Sequence, residues 1–514
     1  MISSCRNGII LWFLLSSAIQ LSNSFQTLQA QSGCDQQISV DFHEQRLDNI
    51  LDSITLITGL KFSYNSALID STDVLSFRME HTPVCTLIDS LLGKYHLTWT
   101  RLANQIIINS PSRISPEAPM AIENPVTIIR GKVIDKTDKQ PIPYAYIRIV
   151  GKSIGTITND DGDFVFKYPA SDDPDIVAIS CVGYKILTVP IPEFTDQQTW
   201  ELPTESILLK EVLVRSVDPR SIIKKAIDAI PENYRTTPVM QTGFYRETLQ
   251  KNGKYIVLSE AVVNIFKSGY NKPFQNDQVK VFKGRKTVDL AAYDTVLYKV
   301  QGGLYNSLLL DIVKNRASFM DENSFPDYEY HMGLMQKIND ALAYTIEFDQ
   351  KEGVEDALFK GKLYVDVNTL AILGADFSIS PRGMKNAASM LVKRASPKIK
   401  VKPVSVDYLV SYSKYSGKWQ LSHIRMEMNM RVRKKKNLFN SLFTSVSEMV
   451  VTRTDTLNAK PFRSADIARS NEIFVDNVGP YDSAFWGGYN FIKPEEKLEE
   501  TLTKIFRQQS QQIQ

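Results

Sequence analysis

Cysteine is scarce in this chain. Of four cysteines in 514 residues, only Cys34, Cys85 and Cys181 lie beyond residue 30. Charge of one sign is also lacking: the formal net charge is +3, which gives no global pull toward nucleic acid. Histidine is rare, and none of His43, His81, His96, His331 and His423 begins an H-x-x-E or H-E-x-x-H pattern. A zinc peptidase needs two His and a Glu around an open coordination position, so that class has no counterpart here. Solvated or capping histidines are expected instead. Beyond the N-terminus, no apolar run reaches the roughly 20 residues that a membrane helix needs. What is present is ordinary: 43% hydrophobic and 23% charged residues suit about three domains, each able to bury a core.

The N-terminus reads as an address. Arg6 precedes the apolar run Ile9–Leu14, which fades into small and polar residues up to Ala30. That is a signal peptide over residues 1–30, cleaved near Ser24 or Ala30, with an uncleaved anchor as the alternative. An oxidising compartment then allows a Cys34–Cys85 disulfide, since Cys34 precedes the first strand and Cys85 opens a helix of the same small domain. Connectivity stays open at this point, and a lipidated Cys34 is the rival. Cys181 falls in a buried run and is expected to act as a small hydrophobe.

Residues 36–109 predict a small α+β unit of βαβ type. Ile38–Phe42 alternates as a strand; Leu47, Ile50, Leu51 and Ile54 form a helical stripe that Gly59 ends. The plan repeats with strand Val74–Met79, Thr82 as N-cap, Pro83 at N1, and Val84, Leu87, Ile88 and Leu91 on one helix face up to Gly93. Leu97–Arg101 and Gln105–Ile108 close as a hairpin. With Gly59–Tyr64, Leu91–Gly93 and Gln105–Ile108, this unit resembles the short N-terminal domain of secretins and TonB-linked outer-membrane proteins. The resemblance implies a periplasmic protein-interaction module.

Residues 110–126, with Pro111, Pro116, Pro119 and Pro125, read as a semi-extended linker. Residues 127–213 then predict a β-sandwich. Ala145, Ile147 and Ile149 face one way, Asn159–Gly162 is a turn, Phe164 and Phe166 resume the alternation, and Ile176–Ile179 is an apolar strand. Ile129–Val133, Pro141–Ala145, Gly155-Thr156, Asp161–Phe164 and Gly183-Tyr184 resemble the carboxypeptidase-D regulatory-like family, whose fold is transthyretin-like. In that family the domain accompanies catalytic or transport modules without doing chemistry. It often stands in outer-membrane proteins of the Bacteroidetes type, which implies a Gram-negative envelope.

Asp218-Pro219 starts a connecting helix over 218–231, with Pro231 as its end. Residues 235–480 alternate at period two: Leu342–Asp349, Lys362–Val367, Val404–Val410 and Ile424–Val432 each show one dry and one wet face. This predicts a large, curved antiparallel sheet curling over its own helices, for instance Leu304–Lys314 or Lys385–Arg394. Residues 481–514 are expected to be a tail with a helix at Glu495–Arg507. The run Thr242–Glu247 looks like the C-terminal region of Bacteroidetes proteins carrying the same sandwich, and Gly361–Thr369 resembles lipoprotein-carrier half-barrels.

Few residues suggest chemistry. Gly151-Lys152-Ser153-Ile154-Gly155 matches G-x-S-x-G, but it joins two strands with no following helix, so a hairpin is expected rather than a nucleophile. Asn159, Asp160, Asp161 and Asp163 lack the closing Glu of an EF-hand, so a turn is expected rather than a calcium site. Two basic clusters, Lys393–Lys402 and Arg431–Lys436, are candidate contacts for anionic lipid or a partner. The candidate residues are Arg433, Lys434, Lys435, Lys436, Leu438, Phe439, Leu442 and Phe443. Met426, Met428 and Met430 are candidates for a pliable apolar cavity.

No catalytic, cofactor-binding or metal-binding residue is assigned. The expected protein is a non-enzymatic, exported envelope protein, periplasmic or associated with the outer membrane. Its expected partner is an envelope protein of a TonB-dependent uptake or surface-signalling system, or an anionic lipid or apolar ligand, and no nucleic acid. A lipid carrier using a half-barrel, a hydrolase hidden in the C-terminal domain and an integral outer-membrane barrel are the alternatives.

Overall fold

The computed structural model describes residues 36–64, 74–95, 97–102, 105–109, 126–170, 175–205, 217–272, 275–288, 298–300, 303–339, 341–387, 391–395, 399–434, 440–457, 459–464, 466–469, 474, 478–480 and 486–501. The chain forms two compact units, Met1–Ala121 and Ile122–Gln514.

In the first unit, strand β1 (Gln37–Arg46) leads into helix α1 (Leu47–Thr58), followed by β2 (Lys61–Tyr64) and β3 (Val74–Pro83). Helix α2 (Val84–Gly93), β4 (Thr98–Leu102) and β5 (Gln105–Asn109) complete it. β1 pairs antiparallel with β3, while β5 lies between β2 and β4. The helical stripes do what their spacing dictates: Leu47, Ile50, Leu51 and Ile54 meet Val84, Leu87, Ile88 and Leu91 in one core. Gly59 caps α1 at φ 73°, a left-handed conformation that costs glycine little, and its N–H donates to the Thr55 carbonyl. At α2 the expected cap shifts by one residue. Pro83 occupies the N-cap position, and the Thr82 hydroxyl bonds the Glu80 carbonyl instead. Gly93 is the last residue of α2, and Lys94 follows as its C-cap.

The second unit begins with seven strands: β6 (Val126–Asp135), β7 (Tyr146–Ile149), β8 (Gly155–Ile157), β9 (Asp163–Pro169), β10 (Ile176–Ser180), β11 (Leu187–Pro190) and β12 (Gln198–Leu202). They form two sheets, in the orders β11-β10-β7-β8 and β12-β6-β9. Phe164, Phe166, Ile147, Ile179 and Leu202 fill the space between them. Gly162 turns the chain at φ 73°, and the Asn159 side-chain oxygen accepts the N–H groups of Asp161 and Asp163.

Asp218 caps helix α3 (Pro219–Asp228), its side chain accepting the Arg220 N–H. The helix ends before Pro231, which instead lies in the first turn of the short α4 (Ile230–Asn233). The following elements are β13 (Val239–Lys251), β14 (Lys254–Lys267), β15 (Gln278–Val288), β16 (Tyr298–Val300), α5 (Leu304–Leu309), α6 (Ile312–Asn315), β17 (Tyr328–Met332), β18 (Gln336–Ile338) and β19 (Ala341–Gln350). Then come β20 (Phe359–Asp366), β21 (Ile372–Ile379), β22 (Val392–Ala395), β23 (Ile399–Tyr415), β24 (Lys418–Lys434), β25 (Ser441–Asp455) and β26 (Gly479–Pro480). Twelve of these strands make one sheet, in the order β17-β19-β20-β21-β23-β24-β25-β13-β14-β15-β26, with β18 added beside β19. Among the described residues its path is open, with β17 and β26 at its ends, and does not close as the barrel of an integral outer-membrane protein does. Of the helix expected over Lys385–Arg394, residues 388–390 lie outside the described residues; Met384–Asn386 is a 3₁₀ turn, the Leu391 N–H donates to the Ala387 carbonyl as in a helical turn, and Val392–Ala395 is β22, which pairs with β16.

One face of the large sheet is apolar. Leu363, Phe377, Val406, Val410, Ile424, Met428 and Met430 pack there with Ile222 and Ile223 of α3, Ile312 and Val313 of α6, and Phe319. Phe319 stacks on Phe348 with centroids 4.1 Å apart.

The opposite face meets the sandwich. The two share a core: Ile157 of β8 packs with Phe244, Val262 and Val450 of the sheet. The expected tail also enters this core through Trp486 and Ile492. Residues 496–501 are helical, and the remainder of the predicted helix, 502–507, lies outside the described residues. The turn at 159–163 clasps this C-terminal segment. Asn159 Nδ2 donates to the carbonyls of Lys493 and Pro494, Asp161 accepts from the Glu496 N–H, and Asp163 pairs with Lys493 at 2.8 Å.

Across this face runs a row of charged residues, one from each strand in register. Arg425 stands opposite Glu448, Glu448 opposite Arg246, Arg246 opposite Glu260, and Glu260 opposite Arg285. In the other direction the row passes through Leu409 to Asp376, Lys362, Glu347 and His331. Ten strands at ~4.8 Å spacing make this roughly 40 Å long. Glu260 is fully buried, and each of its oxygens holds one guanidinium: Arg246 Nε donates to Oε1 at 2.9 Å and Arg285 Nε to Oε2 at 2.9 Å. At the other end Lys362 and Glu347 lie 3.5 Å apart, with 46% of each side chain exposed.

Removing one partner of a buried ion pair strands the others, whereas a wet pair contributes little. Glu260→Ala should therefore cost about 3–5 kcal/mol of unfolding free energy. Lys362→Ala, in the same row, should cost no more than about 1 kcal/mol. Urea unfolding of both variants checks this, and equal costs would contradict it.

Candidate functional site

Between the sandwich and the charged face of the large sheet lies a cavity of about 580 Å³. Its floor is two rows of the sheet. Tyr364, Gly374, Ser411 and His423 form one, and Asp376, Leu409 and Arg425 the next, with Asp407 and Glu427 beyond. The alternation of each strand puts these side chains on the face away from Met428 and Met430. The roof comes from the sandwich: Pro143, Tyr144, Tyr146, Ile157, Asp160 and the segment Ser180–Val182.

Tyr144 is the keystone of the roof. It adopts φ 58°, an uncommon left-handed conformation for an aromatic residue, and donates its backbone N–H to the Thr158 carbonyl. Its ring sits 5.5 Å from the His423 ring and 5.5 Å from the Arg425 guanidinium, and its hydroxyl bonds Asp160. Burial pushes the Tyr144 phenol well up, so it stays a neutral donor. Arg425 also donates to Glu427 at 3.0 Å and lies 3.9 Å from Asp160. His423 is buried, not solvated as expected, and its Nε2 is 2.8 Å from Glu448 Oε1. Period two alone cannot tell this buried polar face from a wet one.

Two floor carboxylates differ from the rest of the row. Asp376 and Asp407 reach solvent at the cavity mouth, and neither has an ion-pair or hydrogen-bond partner among the described residues. Asp407 stands directly opposite Glu427 across β23 and β24, a like-charge pair. Packing around Asp376 raises its carboxyl above the ordinary value, Lys362 opposes this, and Asp407 adds to it. The Tyr364 ring is 8% exposed, and its hydroxyl has no partner among the described residues.

Three of the cavity's nucleophile-type groups are occupied or suppressed. Burial pushes the Cys181 thiol up to about 11, Ser180 Oγ donates to Asn339, and Ser422 Oγ donates to the Ser411 carbonyl. Among the described residues, no group of three or more His, Cys, Asp and Glu could hold a metal ion. The G-x-S-x-G segment is a hairpin between β7 and β8, and Ser153 Oγ donates to the Thr454 carbonyl at 2.7 Å, fastening the sandwich to β25.

The residues singled out from sequence are scattered relative to this cavity. Met428 and Met430 are buried in the core on the other face, and Met426 is half-buried against it. Arg433 and Leu442 are exposed. Phe443 is corrected from a surface contact to a core residue: it pairs with Met430 and is 3% exposed. Lys435, Lys436, Leu438, Phe439 and Cys34 lie outside the described residues, as does the Lys434 side chain. Cys85 is disulfide-bonded. Asp376, Asp407, Tyr364, Tyr144 and Arg425 escape a reading of single strands, because only register and the overlying sandwich bring them together.

Residues 129–214 match the CarboxypepD_reg-like domain family, so the family resemblance read in the sandwich holds. No curated protein matches the chain. Similar solved structures include one described as an outer membrane lipoprotein-sorting protein domain from Vibrio parahaemolyticus, at 10% identity over 47% of this chain and 93% of that one, TM-score 0.21. Another is a DUF1329 family protein from Desulfovibrio piger, at 14% identity over 47% and 95%, TM-score 0.20. A third is lipovitellin, at 8% identity over 45% and 26%, TM-score 0.21. At these scores the likenesses fix neither the fold nor the ligand of this chain.

Glu448 connects the cavity to the charge row. Burial works against its ionisation, but the hydrogen bond from His423 and the charges of His423, Arg425 and Arg246 outweigh it and hold the carboxyl below its ordinary value. A depressed acid contributes stability above its unfolded pKa of about 4.3 and loses it as pH falls through the folded value. Glu448→Gln should therefore cost about 1.5–3 kcal/mol at neutral pH. The gap to the parent protein should close below about pH 4. Denaturant unfolding across pH 3–7 checks this, and a constant gap would contradict it.

Proposed function

We propose that this chain is a non-enzymatic, exported binding protein of a Gram-negative envelope, and that the cavity between sandwich and sheet holds its ligand. The observation that carries the reading is the cavity itself: about 580 Å³, roofed by Tyr144 and Tyr146, with the unpaired carboxylates Asp376 and Asp407 at its mouth. Convergent polar groups on a mostly apolar and aromatic wall orient a ligand; paired nucleophiles and bases would be needed to cleave one. The ligand class that fits is a small molecule with an apolar or aromatic body and a cationic end. The envelope setting is supported by the export signal predicted over residues 1–30 and by the disulfide at Cys85, a bond that persists in oxidising compartments. The N-terminal unit, by its resemblance to the secretin/TonB type, serves as the contact with an envelope protein partner of a TonB-dependent system.

Native mass spectrometry of residues 31–514 purified from envelope extract should find a retained small cation. Phenethylamine should bind the emptied protein by calorimetry, and 3-phenylpropionate should not. Asp376→Asn/Asp407→Asn should weaken amine binding at least tenfold without changing the melting temperature by more than a few degrees. Equal binding of amine and acid would overturn the assigned ligand class, and turnover of the retained molecule would overturn the non-enzymatic reading.

A further inference from the structure

The β23–β24 hairpin carries a second feature, at the end away from the cavity. Lys400 stands opposite Arg433, and Lys402 opposite Arg431. The two basic clusters that are separate in sequence thus become one patch. All four side chains are exposed, and none has an ion-pair partner among the described residues. Like charges directly across an antiparallel pair repel one another. The long charge row on this face avoids that arrangement: from Arg425 to Arg285 it alternates in sign at every step. Two successive cation pairs depart from that row, and an anionic surface laid against them would relieve their repulsion. Leu442, directly opposite Arg431 and 40% exposed, and Val404, 42% exposed, flank the cations with aliphatic surface.

We infer that this end of the hairpin docks on an anionic phospholipid surface. Charge complementarity selects the sign of the occupant. The mixture of cations and exposed aliphatics on an open sheet face selects a membrane, whose headgroups meet the cations while its interface accepts Leu442 and Val404. The contact is separate from the cavity and does not depend on its ligand.

Sedimentation of the full mature chain, residues 31–514, with vesicles tests this. Vesicles of phosphatidylcholine with 30% phosphatidylglycerol should pull the protein down, and pure phosphatidylcholine should not. Binding should fall as salt rises from 50 to 300 mM. Lys400→Glu/Lys402→Glu/Arg431→Glu/Arg433→Glu should lose at least about a hundredfold in partition coefficient, since each basic residue near such a surface is worth about fivefold. Lys400→Gln/Lys402→Gln removes both like-charge pairs without introducing acids and should lose about tenfold or more while keeping the parent's melting temperature. Equal binding to both vesicle types would overturn the proposal. So would binding to soluble polyglutamate with none to vesicles, which would make the patch a site for an acidic protein.

Discussion

Glu260 is the point on which the second unit turns. A fully buried carboxylate is costly unless both oxygens are satisfied, and here each is held by a different arginine on a different neighbouring strand. That clamp fixes the register of β13, β14 and β15 together, because a slip of one residue would turn Glu260 to the other face. The rest of the row follows. Arg246 also reaches the Ile492 carbonyl, so the sheet's charges anchor the C-terminal segment. That segment in turn is grasped by the sandwich through Asn159, Asp161 and Asp163. The sandwich, the sheet and the last described residues are therefore one assembly.

The same row explains why the cavity sits where it does. Under the sandwich and the C-terminal segment the charges are paired and dry. Past Leu409, which interrupts the row, they become wet, and Asp376 and Asp407 are left without partners. The cavity occupies this transition. Tyr144 marks its edge, with its ring 5.5 Å from the His423 ring and 5.5 Å from the guanidinium of Arg425, the last charged member of the covered part.

Much of the local structure is legible in the sequence. The alternation in Leu342–Asp349 and Ile424–Val432 identifies strands, the stripes at Leu47 and Val84 identify helices, and Asn159–Gly162 identifies a turn. Each of these rests on a period or a φ preference carried by adjacent residues. The candidate site is much less legible. Arg425 and Glu427 read as a wet face, since period two is the same whether water or a sandwich covers the polar side. His423 reads as solvated for the same reason. Phe443 reads as a partner for nearby lysines until its pairing with Met430 turns it inward. Val392–Arg394 reads as the end of a helix but is strand, because the apolar run Ala387–Val392 is short and short runs do not distinguish the two.

The C-terminal segment has a consequence for how the protein comes into being. Its contacts join residues 246 to 335 positions apart, as between Arg246 and Ile492 or Asn159 and Pro494. Residues 486–501 leave the ribosome after every strand they cover. Until they arrive, the arginines and glutamates beneath them stay hydrated and the long-range pairing has little to reward it. The covering segment therefore joins the assembly after the strands it covers.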